Sequence, residues 1–146
     1  MTQRLDARLN PQAPLVLSLF RIGIGLLVLL HGTSKMFGWP GDQLVPVGTW
    51  PFWYASVIEI VVGVLVTIGF ATRPAAFIGS GSMAVAYFWQ HFPKDFWPIN
   101  NGGEPAVLFC FALFLLVFTG PGSLAIEAGR SRVVTGTATT RRGWRR

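Results

Sequence analysis

Charge is nearly absent from the central part of this sequence, and this constrains the fold more than any other feature. Between residues 15 and 128 only nine Asp, Glu, Lys and Arg residues occur. Hydrophobic residues make up 51% of the whole chain and charged residues 12%, whereas a soluble domain carries about 25% charged residues. We therefore expect a chain of 146 residues with this pattern to form one unit that lies in a lipid bilayer.

The apolar residues are grouped in four runs, each close to the length that crosses a bilayer as a helix. Proline and glycine lie at the boundaries of the runs, where helices commonly begin and end. The sequence predicts an all-α fold, a four-helix transmembrane bundle over residues 15–128. A cytoplasmic N-terminal segment, residues 1–14, precedes it, and a disordered, Arg-rich cytoplasmic tail, residues 129–146, follows it. The four runs cover residues 15–37, 51–70, 74–92 and 104–120.

The positions of the cations predict the orientation of the bundle. Nine of the twelve Lys and Arg residues fall in the two tails or in the turn at Arg73, all on one side of the predicted membrane, whereas Lys94 falls on the other. Because cytoplasmic loops are rich in Lys and Arg, we expect a multi-pass protein of the cell membrane with both termini in the cytoplasm. The net charge of +6 thus indicates topology, and no nucleic-acid partner is expected.

Ionisable side chains inside the predicted spans are candidate functional residues, because a charge at membrane depth is costly unless it is paired or faces water. Arg21, His31 and Lys35 lie in the first run and Glu59 in the second. Consecutive spans are antiparallel, which brings Glu59 to the depth of His31 near the outer surface. We therefore predict that Glu59 pairs with His31 or Lys35. Arg21 lies deeper, and we expect it to snorkel to the cytoplasmic interface.

Further polar residues are predicted at the same outer end, where the third run ends and the fourth begins. An imidazole, an amine and a carboxylate at one depth could bind a polar headgroup or relay a proton. A purely structural ion pair is the alternative, and Glu104-Pro105 is most simply a helix start. The candidate polar intramembrane site comprises Glu59, His31, Lys35, His91, Arg21, Glu104 and Asn101.

Several other chemistries are not indicated by the sequence. A single cysteine, Cys110, forms no internal disulfide, redox pair or thiolate metal cage, and no metal site is predicted. A haem held between His31 and His91 is a weaker hypothesis than a bound quinone, because it rests on two isolated histidines. The chain also lacks a phosphate-binding glycine loop and a nucleophilic triad, and the candidate site therefore has no assigned catalytic residue.

The order and spacing of these residues resemble the DoxX family of small four-helix membrane proteins. The resemblance extends from about residue 14 to residue 126. The matching pieces are Arg21 with Gly23 and Gly25, His31-Gly32 with Lys35, Glu59 with Gly63 and Gly69, Thr72-Arg73, Ala86-Tyr87-Phe88 with His91, Asn100 to Glu104, and Thr119 to Gly122. The family takes its name from a membrane component of archaeal thiosulfate:quinone oxidoreductase and terminal oxidase systems. The resemblance therefore implies a redox-linked membrane role, without implying a catalytic residue.

The leading hypothesis is an integral subunit of a membrane oxidoreductase complex that offers a quinone a polar site near the outer face. Such a subunit is not expected to be a complete enzyme by itself. Its expected partners are the lipid bilayer and membrane-associated oxidoreductase subunits, and a homo-oligomer is a further alternative. A small transporter or proton pathway is the first rival function, and a non-catalytic scaffold for a soluble oxidoreductase is the second.

Overall fold

The computed structural model describes residues 2–128 of the chain, and the side chains from Leu5 onward. The regular elements in this part of the chain are helices. They are α1 (Thr2–Leu9), a 3₁₀ turn (Asn10–Gln12), α2 (Ala13–Phe37), α3 (Phe52–Ile68), α4 (Thr72–Ala86), a π-helical turn (Tyr87–His91), α5 (Pro98–Asn101) and α6 (Glu104–Thr119).

Each of the four apolar runs is helical, as predicted, and their ends follow local sequence. Gly38 and Gly69 adopt positive φ angles of 69° and 71° immediately after α2 and α3, a conformation that favours glycine and ends a helix. Proline lies in the first turn of α2 and of α6, where a missing N–H leaves no bond unmade. The expected tail, residues 129–146, lies outside the described residues.

The N-terminal segment is also helical, which the prediction did not include. α1 leads through the 3₁₀ turn into α2, and the helical stretch Leu5–Phe37 is long and apolar enough to cross a membrane. Two further apolar helices, Phe52–Ile68 and Glu104–Thr119, are shorter. The first run is therefore the clearest candidate span by length and composition.

The helices pack mainly as two pairs, α2 with α3 and α4 with α6. Small residues allow the close approach of the first pair: a Cβ atom added at Gly63 would lie 2.6 Å from the backbone nitrogen of Leu29. The two pairs meet in an apolar core formed by Val28, Val62, Val66, Ala75, Ala76, Met83, Leu113 and Leu116.

Arg21 links α2 to the end of α3, near Gly69, through hydrogen bonds. The prediction that its side chain snorkels to the cytoplasmic interface is wrong. The side chain is fully buried. Its guanidinium donates hydrogen bonds to four backbone carbonyls, at distances of 2.5–2.8 Å: Val66 O, Thr67 O, Pro121 O and Leu124 O. Val66 O and Thr67 O lie in the last turn of α3, where carbonyls lack the N–H groups of a following helical turn, and Pro121 O and Leu124 O lie beyond the end of α6. A guanidinium with five donors satisfies several of them at once, and burial is then favoured over extension to an interface.

Candidate functional site

A partly buried ion pair lies near the C-terminal end of α2. Lys35 Nζ donates a hydrogen bond to Glu59 Oε1 at 2.6 Å, and the Lys35 and Glu59 side chains are 21% and 4% exposed. The pairing of Glu59 with Lys35 is one of the two pairings that the sequence predicted. Glu59 Oε2 is buried and has no hydrogen-bond partner among the described residues. Lys35 therefore supplies both the counter-charge and a donor to this carboxylate.

Lys35 also lines a cavity of about 610 Å³, which Glu59 does not reach. The cavity is formed by the end of α2, the loop between α2 and α3, α3, α4, the π-helical turn and Lys94 after that turn. Val45 N of that loop donates to Lys35 O at 2.8 Å, which holds the loop against the end of α2. Ion pair and cavity are thus adjacent, with Lys35 shared between them.

Most of the cavity wall is apolar, and four aromatic side chains contribute to it: Trp50, Phe52, Tyr54 and Trp89. Its polar side chains other than Tyr54 are Lys35, Gln43, Ser82, Gln90, His91 and Lys94. Among the described residues that line the cavity, none is Asp or Glu. An apolar cleft with a few polar groups is the usual form of a small-molecule site. The charged residues in this wall are Lys35 and Lys94. Glu59, which does not line the cavity, supplies the counter-charge of Lys35.

His91 enters the cavity wall from the π-helical turn that follows α4. In this turn Phe92 N donates to Tyr87 O, five residues back, at 2.9 Å. His91 Nδ1 lies 3.1 Å from Asn101 O. Because a carbonyl oxygen only accepts, Nδ1 must carry the proton, and in the neutral imidazole Nε2 is then an acceptor.

The carbonyl that orients His91 is itself held in place by the Asn101 side chain. Asn101 is buried, its Nδ2 donates to Asp95 O at 2.8 Å, and its Oδ1 accepts from Gly103 N at 2.7 Å. A Cβ atom at Gly103 would lie 2.6 Å from that Oδ1 and 2.7 Å from the Tyr87 ring, so this position accepts only glycine. The turn from Asn101 to Gly103 therefore fixes the position of Asn101 O, the carbonyl oxygen that accepts from His91.

The remaining candidate residues lie elsewhere. His31 is exposed; its Nδ1 donates to Leu27 O at 2.9 Å and its ring packs edge-on against Phe109, with centroids 5.2 Å apart. Glu104 is exposed in the first turn of α6, and neither residue lines the cavity. Arg21 lies in the first half of α2 and does not line the cavity. The structure thus groups Lys35, Glu59, His91 and Asn101, and separates the other three from them.

Sequence reasoning missed several cavity residues, chiefly Gln43, Trp50 and Lys94. Gln43 and Trp50 belong to the loop between α2 and α3, which has no periodicity to indicate that it folds back on the helices. Lys94 did carry a signal, because it is the one cation that the charge pattern placed in an outer loop. Its position beside His91 in the sequence was the available indication.

Comparison with known proteins supports a membrane family. The family model described as DoxX matches residues 16–92. The chain is 38% identical over 132 residues to an uncharacterized protein of Haemophilus influenzae, a match that covers 82% of this chain and 93% of that protein. It is 26% identical over 125 residues to the inner membrane protein YphA of Escherichia coli, covering 78% and 89% of the two chains. No solved structure matches.

Proposed function

Because this chain belongs to the DoxX family of membrane proteins, we propose that it is a four-helix membrane subunit of a quinone-linked oxidoreductase system. The quinone binds in the cavity beside Lys35. The observation that carries the proposal is the combination of an aromatic, mainly apolar cavity with an ion-paired ammonium group in its wall.

A quinone needs three things from such a site, and the cavity offers each of them. Its planar ring needs aromatic or aliphatic surface, which Trp50, Tyr54 and Trp89 provide. Its carbonyl oxygens need donors, and Lys35 Nζ uses one of its three N–H groups on Glu59. Its ring and first isoprenoid carbons need room, and about 610 Å³ lies in the usual range for small-molecule pockets.

Glu59 supports this site from behind the cavity wall. The buried carboxylate gives the Lys35 ammonium a counter-charge and fixes the direction of its N–H groups. The charged donor forms a stronger hydrogen bond to a ligand oxygen than a neutral donor would. In this proposal Lys35 contacts the quinone, and Glu59 positions Lys35.

The proposed topology has four spans with both termini in the cytoplasm, which puts the cavity at the outer face. α3 and α6 contain 17 and 16 residues, about 24–26 Å of helix. This is shorter than a hydrocarbon core of about 30 Å, a difference that local thinning accommodates. Arg73 lies at the end opposite the cavity, where it donates to Val117 O and Phe118 O at the end of α6. Its position there fits the excess of cations in cytoplasmic loops.

The rival function of a transporter has less support from this geometry. A translocation path needs polar groups along the inner half of the protein, where Arg21 was the one deep candidate. Its guanidinium is fully buried and bonded to four carbonyls. The N–H groups of Arg21 are therefore used in hydrogen bonds to the backbone and are not presented to a transported substrate.

The proposal is tested by calorimetric titration of the purified protein in detergent with decylubiquinone. Two variants are compared: Glu59→Gln, which keeps the ammonium group, and Glu59→Gln combined with Lys35→Met, which removes it without stranding a charge. Loss of a charged donor is expected to weaken binding by about 10-fold or more relative to Glu59→Gln.

His31→Gln is the control outside the cavity and is expected to bind like the parent. Absence of saturable binding to the parent protein, or equal binding by the two Glu59 variants, would contradict the proposed site. If a soluble oxidoreductase co-purifies equally with all these variants while quinone does not bind, the scaffold function replaces it.

A further inference from the structure

The hydrogen-bonding capacity of the cavity wall differs from one polar side chain to the next. Lys35 and Lys94 only donate. Gln43, Gln90, Ser82 and Tyr54 carry amide or hydroxyl groups, which both donate and accept. With no carboxylate among the described lining residues, His91 is the one side chain in that wall whose free atom, in the neutral ring, only accepts.

This property follows from the hydrogen bond on the other side of the ring. Nδ1 is committed to Asn101 O, so its proton is fixed there and Nε2 keeps a lone pair. Asn101 O is fixed in turn by the two hydrogen bonds of the Asn101 side chain. The ring is therefore oriented by the fold before any ligand binds.

An accept-only atom distinguishes the two redox forms of a quinone. The oxidised form presents carbonyl oxygens, whose lone pairs repel Nε2, whereas the reduced form presents hydroxyl groups, which donate to it. Amide and hydroxyl groups adapt to either form, and an ammonium group donates to the oxygen of both. We infer that His91 makes this cavity selective for the reduced, hydroxyl-bearing form of its quinone ligand. The inference rests on the proposed function.

Selectivity of this kind has a thermodynamic consequence. Tighter binding of the reduced form makes the bound quinone easier to reduce than the quinone in free lipid. For a two-electron couple, a tenfold preference corresponds to about 30 mV. The cavity would then favour acceptance of electrons from a partner protein.

The test is a pair of calorimetric titrations of the protein in detergent, with decylubiquinol under anaerobic conditions and with decylubiquinone. They are carried out at about pH 8, where an ordinary imidazole is neutral. One additional hydrogen bond is expected to favour the quinol by about 5- to 10-fold in Kd. His91→Gln, whose amide both donates and accepts, should reduce this ratio to about twofold or less, while His31→Gln should keep it.

The ratio of the quinol and quinone affinities is informative even if a variant loses stability, because only folded protein binds the probes. The parent protein already provides one test, since it must prefer the quinol. Equal affinity for the two forms, a preference for the quinone, or a quinol preference that survives His91→Gln would overturn this inference while leaving a quinone site in place. Failure of the parent to bind either probe would overturn both the inference and the proposed function.

Discussion

At the scale of single residues, the two cations of α2 are stabilised in different ways. Lys35 has a carboxylate partner on the neighbouring helix. The Arg21 guanidinium donates hydrogen bonds to four backbone carbonyls, and it is also attracted by the Glu127 carboxylate. A guanidinium can divide its charge among several dipoles, whereas a compact ammonium is best paired with one anion. Arg21 is therefore a structural residue that joins three segments, and Lys35 is free to serve a ligand.

The ion pair gives the first stability prediction. Lys35→Met leaves the Glu59 carboxylate buried without a counter-charge, and we expect a loss of about 3 kcal/mol in the free energy of unfolding. Replacing both partners, Lys35→Met with Glu59→Leu, should return stability to within about 1 kcal/mol of the parent. Unfolding in mixed micelles with increasing SDS measures both values. Equal losses in the single and double variants would mean that the pair contributes nothing through its charge.

At the scale of elements, two local features of the helices determine the site. The π-helical turn at Tyr87–His91 adds one residue to a helical turn, which changes the direction in which His91 leaves the backbone. Such turns are frequently found at functional positions. The second feature is the close approach of α2 and α3, which brings Lys35 and Glu59 within hydrogen-bond distance across the interface.

Two glycines of α2 provide a matched test of that close approach. A Cβ atom at Gly25 would lie 2.7 Å from the backbone nitrogen of Thr67, whereas at Gly23 nothing lies within 4 Å. Gly25→Ala should destabilise the protein by about 1–3 kcal/mol, because the two helices must separate. Gly23→Ala should be neutral or stabilising by up to about 1 kcal/mol, since alanine is the better helix former. The same SDS titration compares them, and equal effects would contradict close packing at Gly25.

At the scale of the whole molecule, the polar functions lie at opposite ends. The cavity, the Lys35–Glu59 pair and His91 are at one end, and the carbonyl-bound Arg21 and Arg73 are at the other. Apolar side chains fill the space between them. This separation fits the proposed function, in which the inner end holds the helices together and the outer end receives a ligand from the lipid.

The proposed topology is tested by the accessibility of single cysteines in a Cys110→Ala background. Val47, in the loop beside the cavity, is 86% exposed, and Asp6 is exposed in α1. With both termini in the cytoplasm, Val47→Cys should react with a membrane-impermeant maleimide in spheroplasts, and Asp6→Cys only after the membrane is permeabilised. Labelling in the reverse order would invert the orientation and place the cavity at the cytoplasmic face.

The sequence by itself determined the helical class, the four apolar segments and the pairing of Glu59 with a base at one end. These follow from local rules: apolar runs form helices, proline and glycine mark their ends, and buried charges need partners. Antiparallel spans made the depths of Glu59 and His31 calculable from the rise per residue, and left His31 and Lys35 as the two candidate partners.

Only the tertiary structure decided which of the candidate residues share a site. His31 and Lys35 lie one turn apart on α2, but packing places His31 against Phe109 of α6 and Lys35 against Glu59 of α3. The π-helical turn brings His91 into a cavity wall that helical periodicity does not predict. The carbonyls that accept from Arg21 lie at the end of α3 and after α6, about 45 and 100 positions away in the chain. Distances in space between such groups are set by packing, and no local pattern encodes them.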